Sequence, residues 1–259
     1  MPDTPQWTER TIDAAGLKLH LARAGKGAPL VVLHHDFGTP DTTALYDELA
    51  ASYDVIVPHH AGWGKSSRPE WMRSVRDMAV LYQGLLADLG VERATLLGLG
   101  FGGWIAAEMA SMAPRDVARL VLVSPFGIKP NEGYILDQAI ISYIDYPQAA
   151  FHDLKAFEAV YGNVSTDQLE AWDIAREMSF RIAWKPYMYS QTLPHLLGAV
   201  KAPALIVWGD DNRHIPLSTA NQWKQALPNA KVEVIKACGH AVDLEKPAEL
   251  AKLIKAFAK

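Results

Sequence analysis

Residues 95–105 read TLLGLGFGGWI, and this stretch limits the possible folds more than any other. An apolar run ends in GLGFGG, and an apolar, helix-compatible run follows at once. That order fits a strand, a sharp turn and a helix. Glycine enters left-handed backbone without a Cβ penalty and lets a helix lie close to a strand. The central residue of the turn, Gly100, has no side chain and offers neither nucleophile nor base.

The rest of the chain repeats the theme. The run at 30–33 is continuously apolar, and further strands are expected at 53–57, 94–97, 119–123 and 204–208, apolar but for Asp54, Thr95 and Arg119. Continuous runs of this length are the pattern of strands covered on both faces, as in a parallel sheet. A last strand is expected at 231–235. An antiparallel pair at 10–14 and 17–23, turning at Ala15-Gly16, opens the chain. Helices are expected at 41–51, 74–89, 104–112, 219–226 and 247–257, the last with Pro247 in its first turn. The alternation predicts an α/β fold, a mostly parallel sheet flanked by helices, with ligands beyond the C-terminal ends of the strands. From 128 to 197 the apolar spacing is helical, no strand is evident, and aromatic residues are frequent. We expect a helical cap (128–197) inserted into a core domain made of 1–127 and 198–259.

Length and charge exclude several functions. The chain has 259 residues and is 49% hydrophobic and 21% charged, values of an ordinary globular domain. A formal net charge of -4 gives no reason to expect nucleic-acid binding. One cysteine, Cys238, permits no internal disulfide and fits a reducing compartment. The N-terminal MPDTPQWTER lacks the apolar centre of a secretory leader, and no apolar run is long enough to span a membrane. The expectation is a cytoplasmic monomer or homodimer that meets a small organic substrate or ligand, with no nucleic-acid or membrane partner.

Five ordered segments carry a resemblance. His34-His35 follows the first parallel strand. HHAGWGKS, with Gly62, Gly64 and Ser66, follows the next. GLGFGG follows the third. A loop from Gly209 to Pro216 follows the fifth, and Gly239-His240, with Glu245 and Pro247 downstream, follows the last. In this order and spacing the chain resembles the α/β-hydrolase family. The resemblance implies a serine at the glycine-flanked turn, an acid in the later loop and a histidine near the C-terminus. Here those positions hold Gly100, Asn212 and His240, an atypical triad. Asp211 is the neighbouring carboxylate that could turn inward in place of Asn212. The resemblance also implies an oxyanion hole from backbone N–H groups of Phe101 and the His35 loop. Ser66 and Ser124 are the available replacement nucleophiles, and both read better as ordinary loop serines.

Three chemistries stay open. In the first, two or three of His35, His59, His60 and His240, with Asp36, hold one divalent metal (Zn, Fe, Mn or Ni) whose bound water attacks a carbonyl. In the second, no cofactor is present and His240 acts as base, in hydrolysis or in lyase- or oxygenase-type chemistry. In the third, the chain is a catalytically inactive pseudo-hydrolase that binds a small ligand or a protein. The expected reaction is cleavage of a small carbonyl-containing substrate (an ester, a lactone or an activated C–C bond) by metal- or His-activated water. His34, Trp63 and Ser124 are expected to line the pocket. His20, His152, His195 and His214 read as surface or packing residues.

Overall fold

The apolar runs are continuous because the strands they form are covered on both faces. The computed structural model describes residues 5–41 and 43–258. The strands are β1 (Thr8–Ala14), β2 (Leu17–Ala24), β3 (Ala28–Leu33), β4 (Tyr53–Pro58), β5 (Ala94–Leu99), β6 (Val117–Val123), β7 (Ala204–Gly209) and β8 (Ala230–Ile235). They form one sheet in the order β1-β2-β4-β3-β5-β6-β7-β8. β1 with β2 and β2 with β4 are antiparallel. Every later pair is parallel. This is the expected α/β fold with a mostly parallel sheet.

Successive residues of each strand serve opposite faces. Val31, Leu33, Leu96, Leu120, Leu122 and Ile206 share a core with α2 (Val75–Asp88), α3 (Phe101–Met112) and α8 (Thr219–Ala226). Leu30, Val32, Leu97, Val121, Val123 and Val207 share the other core with α1 (Ala44–Ala50) and α10 (Pro247–Phe257).

Local chemistry sets the helix starts. Ser74 and Asp77 form a reciprocal capping box at the head of α2. α1 begins at Ala44, later than the expected 41, because Thr43 caps it by accepting from the Tyr46 amide. α3 begins at Phe101, earlier than the expected 104, because Gly100 completes the whole turn by itself.

Between β6 and β7 lie α4 (Asp145–Ala149), α5 (Leu154–Tyr161), α6 (Thr166–Ala183) and α7 (Leu193–Leu196). Phe151, Phe157, Tyr161 and Trp172 interlock as a small core of this segment. Phe37, after β3, and Ala241, after β8, belong to the same cluster. The segment therefore packs on the loops at the C-terminal ends of the parallel strands. α9 (Val242–Glu245) follows Ala241 and leads into α10.

The crossing of β5 and α3 leaves no room for side chains. A Cβ on Gly98 would lie 2.6 Å from the Gly102 carbonyl oxygen and in hard contact with Gly103 Cα. Both are backbone atoms and cannot rotate away. Gly98→Ala is expected to destabilise the protein by about 2–3 kcal/mol. Gly84→Ala, in α2 with open space around the new methyl, is expected to stabilise it by up to about 1 kcal/mol. Urea unfolding midpoints of the two variants check the contrast.

Candidate active site

The turn after β5 builds the site. Gly100 has φ +51° and ψ −109°, in left-handed backbone that suits glycine. Its amide donates to the Val123 carbonyl at 2.9 Å. The Gly102 amide donates to the His34 carbonyl at 2.9 Å, and a Cβ on Gly102 would collide with the Leu33 carbonyl. The head of α3 is thus pressed against the end of β3, which brings the next residue, His35, over Gly100. A Cβ on Gly100 would lie 2.6 Å from His35 Nδ1 and 2.7 Å from His240 Nε2. Both nitrogens are buried without a hydrogen-bond partner. The two ring centroids are 5.2 Å apart.

Different groups hold the two imidazoles. His35 Nε2 donates to Asp243 Oδ1 at 2.8 Å, and both side chains are fully buried. Phe37 stacks on the His35 ring at 4.8 Å. His240 Nδ1 meets Asn212, 3.1 Å from Nδ2 and 3.3 Å from Oδ1. His240 stacks on His214 at 4.6 Å and lies beneath Phe126 at 5.1 Å. Burial, with His214 and His35 adding to it, holds the His240 imidazole well below its usual pKa. His214 is a packing residue, but it packs in the His240 stack. It donates through Nε2 to the Tyr146 carbonyl at 2.9 Å, and burial pushes its pKa down to about 3. Asp243 was not among the residues expected here. Its only sequence signal is its place three residues after His240, at the head of α9.

Several expected site residues lie elsewhere. His59 faces away from Gly100. Its Nε2 is 3.1 Å from Asp41, its Nδ1 accepts from the Lys65 amide at 3.1 Å, and its ring packs on His20 at 4.8 Å. His60 is fully engaged: Nε2 donates to the His34 carbonyl at 3.0 Å, and Nδ1 accepts from the Tyr82 hydroxyl at 2.7 Å. His34 Nδ1 donates to the His35 carbonyl at 2.7 Å, and its Nε2 accepts from the His60 amide at 2.9 Å. Asp36 turns its carboxylate to Tyr146 (2.8 Å) and Gln138 (2.7 Å), and burial raises its pKa to about 6. Asp211 does not orient His240, because it pairs with His152 at 2.9 Å and Arg213 at 2.6 Å. Ser66 accepts from the His20 amide and donates to the His59 carbonyl, a structural role. Ser124 is buried after β6 with no partner for Oγ.

These positions correct the expected metal site. Among the described residues, no three His, Cys, Asp or Glu side chains are grouped to hold a metal ion. Of the five expected ligands, His35 and His240 each present one unpartnered nitrogen to the Gly100 space, while His59, His60 and Asp36 are turned to other partners. Two imidazole nitrogens fall short of the three protein ligands that catalytic sites provide, so no step is drawn through a metal.

A cleft of about 710 Å³ opens beside the site, with His34, Phe37, Thr39, His59, Trp63 and Ser165 among its walls. Of His34, Trp63 and Ser124, expected from the sequence to line a pocket, the first two border this cleft and Ser124 does not; the Trp63 indole donates to the Asp36 carbonyl at 2.6 Å. Phe37 joins this cleft to the site, since it also stacks on the His35 ring.

Comparison with known proteins follows the same architecture. The sequence profile of the alpha/beta hydrolase family matches residues 30–253. A 2-hydroxy-6-oxononadienedioate/2-hydroxy-6-oxononatrienedioate hydrolase of Burkholderia vietnamiensis is 29% identical, over 99% of this chain and 96% of its own. A Paraburkholderia phymatum protein of the same name is 30% identical, over 93% of this chain and 91% of its own. The solved structure of a 2-hydroxy-6-oxo-6-phenylhexa-2,4-dienoate hydrolase from a Rhodococcus strain superposes with a TM-score of 0.85. That match covers 98% of this chain and 99% of the other at 19% identity, a likeness of fold. No helix among the described residues is long and apolar enough to cross a membrane.

The buried imidazoles set an acid response. The pKa values of His34, His60, His214 and His240 are all lowered by burial, to about 3 for His60 and His214. Above pH 6.5 these groups are neutral in both folded and unfolded chains. Below it the unfolded chain takes up protons that the folded one refuses, so stability falls as pH drops from 6.5 towards 3. Each group adds a slope of up to about 1.4 kcal/mol per pH unit. His59, also lowered by burial, acts in the same sense, and Asp36, raised to about 6, acts in the opposite one, one group against five. Urea midpoints are expected to fall steeply between pH 6.5 and 5, and His214→Gln is expected to make the fall shallower. Equal midpoints at pH 7.5 and pH 5 would contradict the neutral buried state.

Proposed function

The chain belongs to the alpha/beta hydrolase family, and on that premise we propose that it is an enzyme cleaving a small carbonyl-containing organic substrate without a covalent serine intermediate. The observation that carries this reading is the pair of unpartnered imidazole nitrogens that meet over Gly100, where a side chain would stand. In this reading Gly100 stands where a nucleophilic serine would stand, and Asn212 stands where the acid would. The oxygen that attacks is then a water held between the two imidazoles. One of the two histidines takes its proton, and the oxygen adds to the substrate carbonyl. The amide of Phe101 lies at the first position of α3, where no intrahelical acceptor exists, and is free to meet the oxyanion. The histidine then returns the proton to the leaving group.

The names of the relatives supply the substrate class: a conjugated 2-hydroxy-6-oxo acid cleaved at a C–C bond next to its ketone. The cleft bounded by Phe37 and Trp63 is the entry route in this reading. Residues 128–197 act as a cap over the core of 1–127 and 198–259. Support for the cap comes from its hold on the strand-end loops, through Tyr146 and Gln138 to Asp36 and through the Tyr146 carbonyl to His214.

The test is turnover of 2-hydroxy-6-oxo dienoates in heavy-oxygen water. We expect the label in the acid product, no pre-steady-state burst, and no adduct on the protein by mass spectrometry after acid quench. A trapped acyl adduct, on Ser124 or any other residue, would overturn the non-covalent route. Binding of the whole class with no turnover would leave a binding protein instead. Gly100→Ala, whose methyl would press on His35 Nδ1 at 2.6 Å and His240 Nε2 at 2.7 Å, is expected to lower kcat by roughly 100-fold or more.

A further inference from the structure

We propose that the base of this site is His35, backed by Asp243, and that His240, held by Asn212, is the hydrogen-bond donor that orients the water. This rests on the non-covalent reading above and reverses the roles the family resemblance suggests.

The argument is one of proton positions. A carboxylate can only accept, so the hydrogen bond from His35 to Asp243 Oδ1 places the His35 proton on Nε2. Nδ1 then carries a lone pair, and Nδ1 is the atom that faces Gly100. The Asn212 amide is oriented by the backbone: Oδ1 accepts from the amides of His214 (3.0 Å) and Ile215 (3.1 Å). Nδ2 is therefore a donor aimed at His240 Nδ1, the nearer of its two contacts with Asn212. An imidazole that accepts at Nδ1 carries its proton on Nε2, and Nε2 is the His240 atom that faces Gly100.

One acceptor and one donor thus converge on one point. The two nitrogens face the same place, where a Gly100 Cβ would stand, so an oxygen bridging the two rings, farther from Gly100 Cα than a bonded carbon, meets one acceptor and one donor. A water there donates one hydrogen to His35 Nδ1 and accepts from His240 Nε2, which leaves its second lone pair for the carbonyl carbon.

Charge favours the same assignment. A proton on His35 makes an imidazolium beside a buried carboxylate, the arrangement that stabilises a charged histidine in a triad. A proton on His240 would be opposed by burial and would have only a neutral amide beside it. The balance is complete without another reactant. Water loses a proton to His35 Nδ1 and its oxygen bonds to the carbonyl carbon, with the π pair moving to oxygen. As that pair returns, the bond to the leaving group breaks, and its electron pair takes the proton from His35. The net change is addition of one water across the cleaved bond. His35 and His240 are catalytic residues in this scheme, and Asp243 is a positioning residue.

Two measurements test it. Nitrogen NMR of the histidine rings in the wild-type protein reports tautomers without any substrate. We expect both rings neutral at pH 7.5 with the proton on Nε2. A His240 proton on Nδ1, or a His35 proton on Nδ1, would overturn the assignment. In turnover, Asp243→Asn is expected to lower kcat by roughly 100-fold with KM changed little, and Asp243→Glu to recover part of the loss. Full kcat in Asp243→Asn, with activity abolished in His240→Gln, would return the base role to His240. Wild-type protein that cleaves nothing of the class yet shows the expected tautomers would retire the reaction and leave the proton positions standing.

Discussion

The contact on which the site depends is the close approach of the head of α3 to the end of β3. The Gly102 amide meets the His34 carbonyl, and any larger residue at 102 would strike the Leu33 carbonyl. Because that contact is between backbones, it fixes the loop after β3 to within a few tenths of an ångström. His35 then has one place to go, over Gly100. The neighbouring histidine works in the other direction. His34 and His60 stack at 3.6 Å and exchange two hydrogen bonds with each other's backbone. That pair ties the loop after β3 to the loop after β4. Each buried hydrogen bond adds only about 1 kcal/mol, but an unpaired partner would cost about 1–3 kcal/mol. The pair therefore specifies one loop geometry more than it stabilises the fold.

The fold was legible because its strands are covered on both faces. β5 and β7 are buried along their whole length, and β3 and β6 over their last four residues, and in those stretches Thr95 is the one polar residue. The start of α2 was legible to within one residue from its apolar spacing, the expected first residue, Ser74, being the N-cap before Val75. The start of α3 was not, since glycine carries no capping side chain to announce a helix.

The site was legible only where chain spacing decides it. Gly100, Asn212 and His240 each follow a strand end and converge as the fold requires. Which other histidines join them could not be read from the chain. Successive side chains at a strand end point to opposite sides, so His34-His35 and His59-His60 each had to divide, and nothing in the spelling says how. His35 went to the site, while the other three became structural. The missing carboxylate was Asp243, 208 positions from the histidine it serves. Asp211, beside Asn212, looked like the natural substitute, but His152 and Arg213 hold it at the half-exposed rim.

On the proposed reading, in which Gly100 and Asn212 stand in the places of the family's serine and acid, the position of that one buried carboxylate bears on how the two fit together. A serine at the elbow needs a histidine that can hold a proton, and a histidine holds a proton in a buried site when a carboxylate lies behind it. Behind His240 there is only the Asn212 amide, and that amide is itself committed to the backbone at His214 and Ile215. A hydroxyl at Gly100 would therefore face His240 without an effective base on that side. It would also collide with His35, whose Nδ1 lies 2.6 Å from the required Cβ. Glycine at the elbow removes the collision. Asp243 behind His35 puts the negative charge on the side where the lone pair is. On the proposed reading, Gly100, Asn212, His35 and Asp243 are parts of one arrangement, since altering any one of them leaves another with a clash or an unbalanced proton. Chance loss of a catalytic serine would account for Gly100 alone, and would give no reason for a fully buried carboxylate–imidazole pair aimed at the space it left.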